Sequence, residues 1–158
     1  VFHEEQKVPT MHASTVAVCL WYDHDAEAAA RLYTSLIPNS QITSVSPMMA
    51  TFTLDGMAFQ GLNGGPYFKP TEAASIVVST KNQAETDRLW AALIADGGSA
   101  SQCAWLKDRF GVSWQIVPQR LPELLGDPDR LAAERVMQAM LQMSKIDIAA
   151  LEAAFRGA

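Results

Sequence analysis

Histidine and cysteine are scarce in this sequence, with three and two residues among 158. Two cysteines exclude a disulfide scaffold, and Cys19 and Cys103 read as free thiols of a reducing cytoplasm. Three histidines leave few neutral nitrogen donors for a metal ion, and His3 and His12 fall in an N-terminal stretch without periodicity. Charge is sparse at 18% of residues. Twelve basic residues against 17 acidic ones, with no basic cluster, exclude a nucleic-acid footprint. No apolar run approaches the ~18 residues of a membrane span, and no secretory leader is legible. What is plentiful is apolar side chain, 49%, which excludes disorder as the main state. The length suits one domain, or two small halves sharing a core. The expectation is a cytoplasmic globular protein with no nucleic-acid or membrane partner.

Periodicity organises the chain. Residues 1–14 carry none and read as a tail, disordered or foreign to the native protein, with Met11 a candidate start. Val16 to Tyr22 is β-branched and aromatic and predicts a buried strand. Asp23 and Asp25 offer caps to a helix whose Ala29, Leu32, Tyr33 and Leu36 share one face. Gln41 to Ser46, Met49 to Leu54 and Met57 to Leu62 predict three strands, the last two joined by an Asp55-Gly56 hairpin turn. After Asn63-Gly64-Gly65-Pro66 and a loop over Tyr67 to Glu72, the order restarts. Ala74 to Thr80 predicts a strand, and Asn82 with Glu85 a capping box for a helix through Leu89, Trp90 and Leu93. Ser101 to Leu106 and Val112 to Val117 predict two further strands around Lys107–Gly111, a turn that reads as solvated. Leu121 to Leu125 predicts a short helix, Asp127-Pro128 the start of a helix to about Ser144, and Asp147 the cap of a last one.

The halves match. Leu32, Tyr33 and Leu36 recur 57 positions later as Leu89, Trp90 and Leu93, and Gly56 and Gln60 recur 55 positions later as Gly111 and Gln115. One internal repeat of this length means two copies of a strand-helix-strand-strand-strand unit. The fold class is therefore α+β. Two tandem βαβββ units, about 15–66 and 72–118, make a paired domain over 15–118, and helices follow over 119–158. Met137, Met140, Leu141 and Ser144 form a stripe that suits packing on the sheet or on a second subunit.

Two such units, curling a mixed sheet into a cup, resemble the vicinal oxygen chelate (glyoxalase/bleomycin-resistance/dioxygenase) superfamily. Asp108-Arg109-Phe110-Gly111 followed by Trp114-Gln115-Ile116 resembles its final hairpin. Cys19-Leu20-Trp21-Tyr22, Leu62-Asn63-Gly64-Gly65-Pro66, Trp105 to Gly111 and Val136 to Leu141 resemble the PhnB-like branch, often labelled 3-demethylubiquinone-9 3-methyltransferase. The resemblance implies a glyoxalase-like fold and a homodimer.

It does not imply the chemistry. Metal-dependent relatives hold an ion with His, Gln and Glu on the first and last strands of each unit. Here the last-strand positions are Gln60 and Gln115, and the first strands offer Cys19, Trp21, Ile76 and Val78. No metal and no cofactor are expected. A methyl-donor site usually rests on a glycine-rich turn between strand and helix, whereas Gly64-Gly65 runs into proline and an aromatic loop. The reading is a metal-free small-molecule binder, with Gln60, Asn63, Trp105, Trp114 and Gln115 as candidate ligand-binding residues and no catalytic residue assigned. Cys19 reads as buried packing. The alternatives are a metal-dependent lyase, isomerase or dioxygenase acting on a vicinal-oxygen substrate, and a binder that sequesters a drug unchanged.

Overall fold

The computed structural model describes residues 14–158, so the readings for His3, Met11 and His12 lie outside the described residues. The first unit comprises β1 (Val18–Tyr22), α1 (Ala26–Leu36), β2 (Gln41–Val45), β3 (Met49–Leu54) and β4 (Met57–Asn63). The second comprises β5 (Ser75–Thr80), α2 (Gln83–Ile94), β6 (Ser99–Ala100), β7 (Trp105–Lys107) and β8 (Ser113–Pro118), and α3 (Arg120–Leu125), α4 (Arg130–Leu141) and α5 (Ile148–Arg156) follow. Each unit makes its own four-stranded sheet, in the orders β1-β4-β3-β2 and β5-β8-β7-β6. Within each, the first strand runs parallel to the last and the other pairings are antiparallel. The two orders are the same order repeated, as the internal repeat requires.

Local chemistry explains the elements. In β3 the alternation Met-Ala-Thr-Phe-Thr-Leu buries Ala50, Phe52 and Leu54 against α1 and leaves the other face half-exposed. Asp55 and Gly56 both take positive φ, 48° and 80°, the geometry that a two-residue hairpin needs to match strand twist. Helix α1 presents Ala26, Ala29, Ala30 and Tyr33 to the sheet, and it lies close. A Cβ at Gly61 would stand 3.1 Å from that of Ala26. Its cap is not one of the expected aspartates. Asn63, at the end of β4, accepts from the Ala26 amide at 2.9 Å, so the last strand of the unit caps the unit's own helix. Helix α2 has the expected Asn82 cap, accepting from Glu85 N at 2.9 Å. The Glu85 carboxylate reaches one residue further back, to Lys81 N at 3.0 Å.

Three expected elements differ. The buried strand expected over Val16 to Tyr22 begins at Val18, and Val16 and Val18 are exposed because β1 is an edge strand. The strand over Ser101 to Leu106 is interrupted because Cys103 and Ala104 take positive φ, 54° and 76°. Their amides turn away to Met143 O and Ser144 O, at 2.9 and 3.0 Å. The helix expected from Pro128 to Ser144 runs from Arg130 to Leu141. Asp127 spends its carboxylate on the Asp129 amide, and Asp129 is the cap, accepting from Ala132 N at 3.0 Å.

The inner faces of both sheets, together with α1 and α2, share one core built around Tyr33, Phe52, Trp114, Leu89 and Leu93. A second, smaller core lies under the C-terminal helices, around Leu121, Leu124, Val136, Ile146 and Leu151. Gln83 fastens the two: its amide donates to Ile146 O at 3.0 Å and accepts from Ile148 N at 2.9 Å.

Candidate ligand-binding site

Strand alternation sends Tyr22, Phe59, Trp114 and Ile116 inward and the neighbouring side chains outward. Register then groups the outer residues. Cys19 and Thr51 both stand beside Gln60, and Val77 and Trp105 both stand beside Gln115. Gln60 and Gln115 thus occupy corresponding outward positions in their two units.

A cavity of about 520 Å³ is lined by the free edge strands β1 and β5 of the two sheets. Val18, Leu20, Phe59, Ile76 and Val112 give it an apolar wall, and the linker from Lys69 to Ala74 closes one side. That volume suits a small organic molecule. The Trp21 indole lines it and is fixed from behind: Nε1 donates to Gly65 O at 2.8 Å, and Phe68 packs edge-on at 4.9 Å. Ser113 is the anomaly in this wall. It is 1% exposed, and its hydroxyl has no hydrogen-bond partner among the described residues. A buried hydroxyl left unpaired costs about 1–3 kcal/mol, so a partner arriving from the cavity recovers that energy.

The sequence-derived candidates are dispersed. Gln115 lies one shell back, where its Nε2 donates to Oγ of Ser75, a wall residue, at 3.0 Å. Gln60 faces outward beside Cys19 and is not part of the wall. Asn63 is committed to the Ala26 amide through its oxygen and to Pro47 O, at 3.0 Å, through its nitrogen. Trp105 lines a neighbouring, smaller depression with Lys107 and Glu72, which meets the cavity at Ser113. Trp114 is fully buried in the shared core, and its indole N–H donates to Asp108 Oδ2 at 2.9 Å. Cys19, expected in the core, is exposed and borders the cavity. It is outward because β1 alternates, and Val18 and Leu20 take the opposite face.

The turn expected to be solvated holds the most buried charged side chain among the described residues. Asp108 is 2% exposed and accepts four hydrogen bonds. Oδ1 takes the amides of Phe110 and Val112, at 2.9 and 3.0 Å, and Oδ2 takes Tyr33 Oη and Trp114 Nε1. Burial pushes its carboxyl above the ordinary aspartate range, against those four donors. Burial likewise raises both tyrosines of the chain that ends on it, Tyr22 donating to Tyr33 at 3.1 Å. Every oxygen is satisfied, so this is a structural network rather than a reactive one.

The residues present do not fit a resident divalent ion. Cys19 and Gln60 in one unit, and Val77 and Gln115 in the other, bring neither carboxylate nor imidazole to the strand positions concerned, and no group of three His, Cys, Asp or Glu converges among the described residues. They do not fit a nucleotide-type methyl donor either. Gly64 and Gly65 form a seat for Trp21, and a Cβ on Gly64 would stand 2.2 Å from the indole ring. No described helix is long and apolar enough to cross a membrane.

Comparison with known proteins places this arrangement. The family profile described as 3-demethylubiquinone-9 3-methyltransferase matches residues 14–117. A PhnB protein from Bacillus cereus, carrying the same description, is 29% identical with a TM-score of 0.61, over 66% of this chain and 99% of its own. A Pseudomonas aeruginosa protein is 21% identical, TM-score 0.53, over 65% and 96%. A glyoxalase/bleomycin resistance protein from Albidiferax ferrireducens is 16% identical, TM-score 0.50, over 67% and 99%, a likeness of fold. No curated protein matches. Helices α3, α4 and α5 lie beyond the matched segment.

Proposed function

The chain belongs to the PhnB-like branch of the glyoxalase-like superfamily, through the family described as 3-demethylubiquinone-9 3-methyltransferase, and on that premise we propose that it binds a small, mainly apolar molecule in the cavity between β1 and β5, without a resident metal. The observation that carries this reading is the unpaired, buried Ser113 hydroxyl in a mainly apolar wall. Trp21 supplies an aromatic surface, and Gln115 acts through Ser75 by holding its hydroxyl in place. Methyl transfer draws no support from the Gly64-Gly65 turn, which Trp21 occupies. Metal-dependent chemistry on a vicinal-oxygen substrate draws none from a donor set of amides and a thiol.

Titration with N-phenyl-1-naphthylamine, a neutral dye that fluoresces in apolar surroundings, tests the proposal. Saturable uptake of one dye per chain supports it, and uptake that never saturates contradicts it. Product analysis of any natural ligand then separates a transforming protein from a sequestering one.

We also propose a homodimer, as the resemblance implies, and a cytoplasmic location, from the two free thiols. Val45, exposed on the edge strand β2, and Met48, exposed in the turn that follows it, support a protein partner there. Sedimentation showing a single chain at micromolar concentration contradicts the dimer.

A further inference from the structure

One charge borders the cavity, and it is positive. Among the residues lining it only Lys69 is ionised, in a chain whose net charge is −5. Its neighbours do not neutralise it. Glu72, three residues on, is held by Lys107 at 2.5 Å and is not part of the wall. Lys145 has likewise found a carboxylate, Asp87 at 2.8 Å, whereas Lys69 is in no ion pair with any described residue. Pro70 follows Lys69 and confines its backbone to the extended region, which limits how far the ammonium group strays from the cavity.

An apolar hollow with a single unneutralised cation at its margin is complementary to an amphipathic anion. A neutral guest leaves the lysine without a partner, and a cationic one is repelled by it. We infer that the cavity between β1 and β5 selects apolar carboxylates, with a hydrocarbon or aromatic body against Leu20, Phe59 and Val112 and the carboxylate held by Lys69. This rests on the reading of that cavity as a ligand site and adds the class of ligand.

Competition against bound N-phenyl-1-naphthylamine tests it, using decanoate, decanol and decylamine on the wild-type chain and on Lys69→Glu, near neutral pH and at low salt. Lys69 is exposed, so the expected effect is that of a surface ion pair. Replacing it raises the decanoate-to-decanol ratio at half displacement about fivefold and lowers the ratio for decylamine. Taking each ratio to decanol cancels any change in affinity for the dye, and the melting temperatures of the two chains control for folding. Ratios unchanged by the substitution overturn the selectivity and leave the cavity reading standing. A dye that fails to bind the wild-type chain overturns both.

Discussion

Tyr33 Oη donates to Asp108 Oδ2 at 2.5 Å, across 75 positions of sequence and from the helix of one βαβββ unit to the last hairpin of the other. The bond lies in the core that the two sheets share, where Tyr33 also meets the Trp114 ring at 4.9 Å. It therefore fixes how the units sit relative to one another, and with them the gap between β1 and β5. Tyr33→Phe keeps the ring and removes the donor. The expected loss is about 1–3 kcal/mol of unfolding free energy, because a buried carboxylate loses one of its four bonds. Urea denaturation measures it, and an unchanged midpoint contradicts the role.

Asp108 also predicts a dependence on pH. Burial raises its carboxyl above the ordinary value of 3.8, so the folded chain takes up this proton at a pH where the unfolded chain has not. Above the raised value both states are ionised and the contribution is constant. As pH falls from that value towards 3.8 the folded state gains stability relative to the unfolded one. Asp108→Asn is less stable throughout, since Trp114 then faces an amide, and it lacks this gain. The difference in stability between the two chains shifts in favour of the wild type on acidification. A flat difference, or one of opposite sign, contradicts the account.

Ser113→Ala separates a hydroxyl that serves the fold from one that serves a ligand. With no partner among the described residues, its removal relieves the fold and raises stability by about 1–3 kcal/mol. A drop in melting temperature contradicts the assignment, because it means that the hydroxyl already has a partner.

Gly64→Ala tests the seat of Trp21. The new Cβ meets a ring held by Gly65 O and Phe68, so the indole must leave its place, at a cost of roughly 1–3 kcal/mol. Tryptophan emission shifts to the red as the ring is released, and dye uptake weakens with it. Unchanged emission and uptake show that the ring is not fixed there.

The fold was legible where side chains repeat. Period-two strands, the Asp55-Gly56 turn and the recurrence of Leu32-Tyr33 as Leu89-Trp90 specify two βαβββ units because each feature is local. What was not legible depends on chain segments far apart. Asp108 reads as a turn residue from its neighbours, whereas one of the groups that closes over it, Tyr33, comes from the other unit. The break at Cys103-Ala104 is set by Met143 and Ser144, some 40 positions on. Asn63 reads as a turn former and is also a helix cap, because β4 ends beside the start of α1. The place of the cavity between β1 and β5 was not legible for a related reason. The repeat directs attention to the paired glutamines, whereas the space lies at strand edges, where Ser113 and Lys69 carry no motif. One signal was available: the small polar Ser113 stands at an alternating position between buried Val112 and Trp114.

The most direct measurement is dye uptake by a chain whose cavity has been filled from its rim. Val77 borders the cavity and is 59% exposed, so Val77→Trp places bulk there with little disturbance to the core. The account predicts that the wild-type chain binds one N-phenyl-1-naphthylamine saturably, and that Val77→Trp, with its melting temperature preserved, does not. Equal uptake by both folded chains contradicts it.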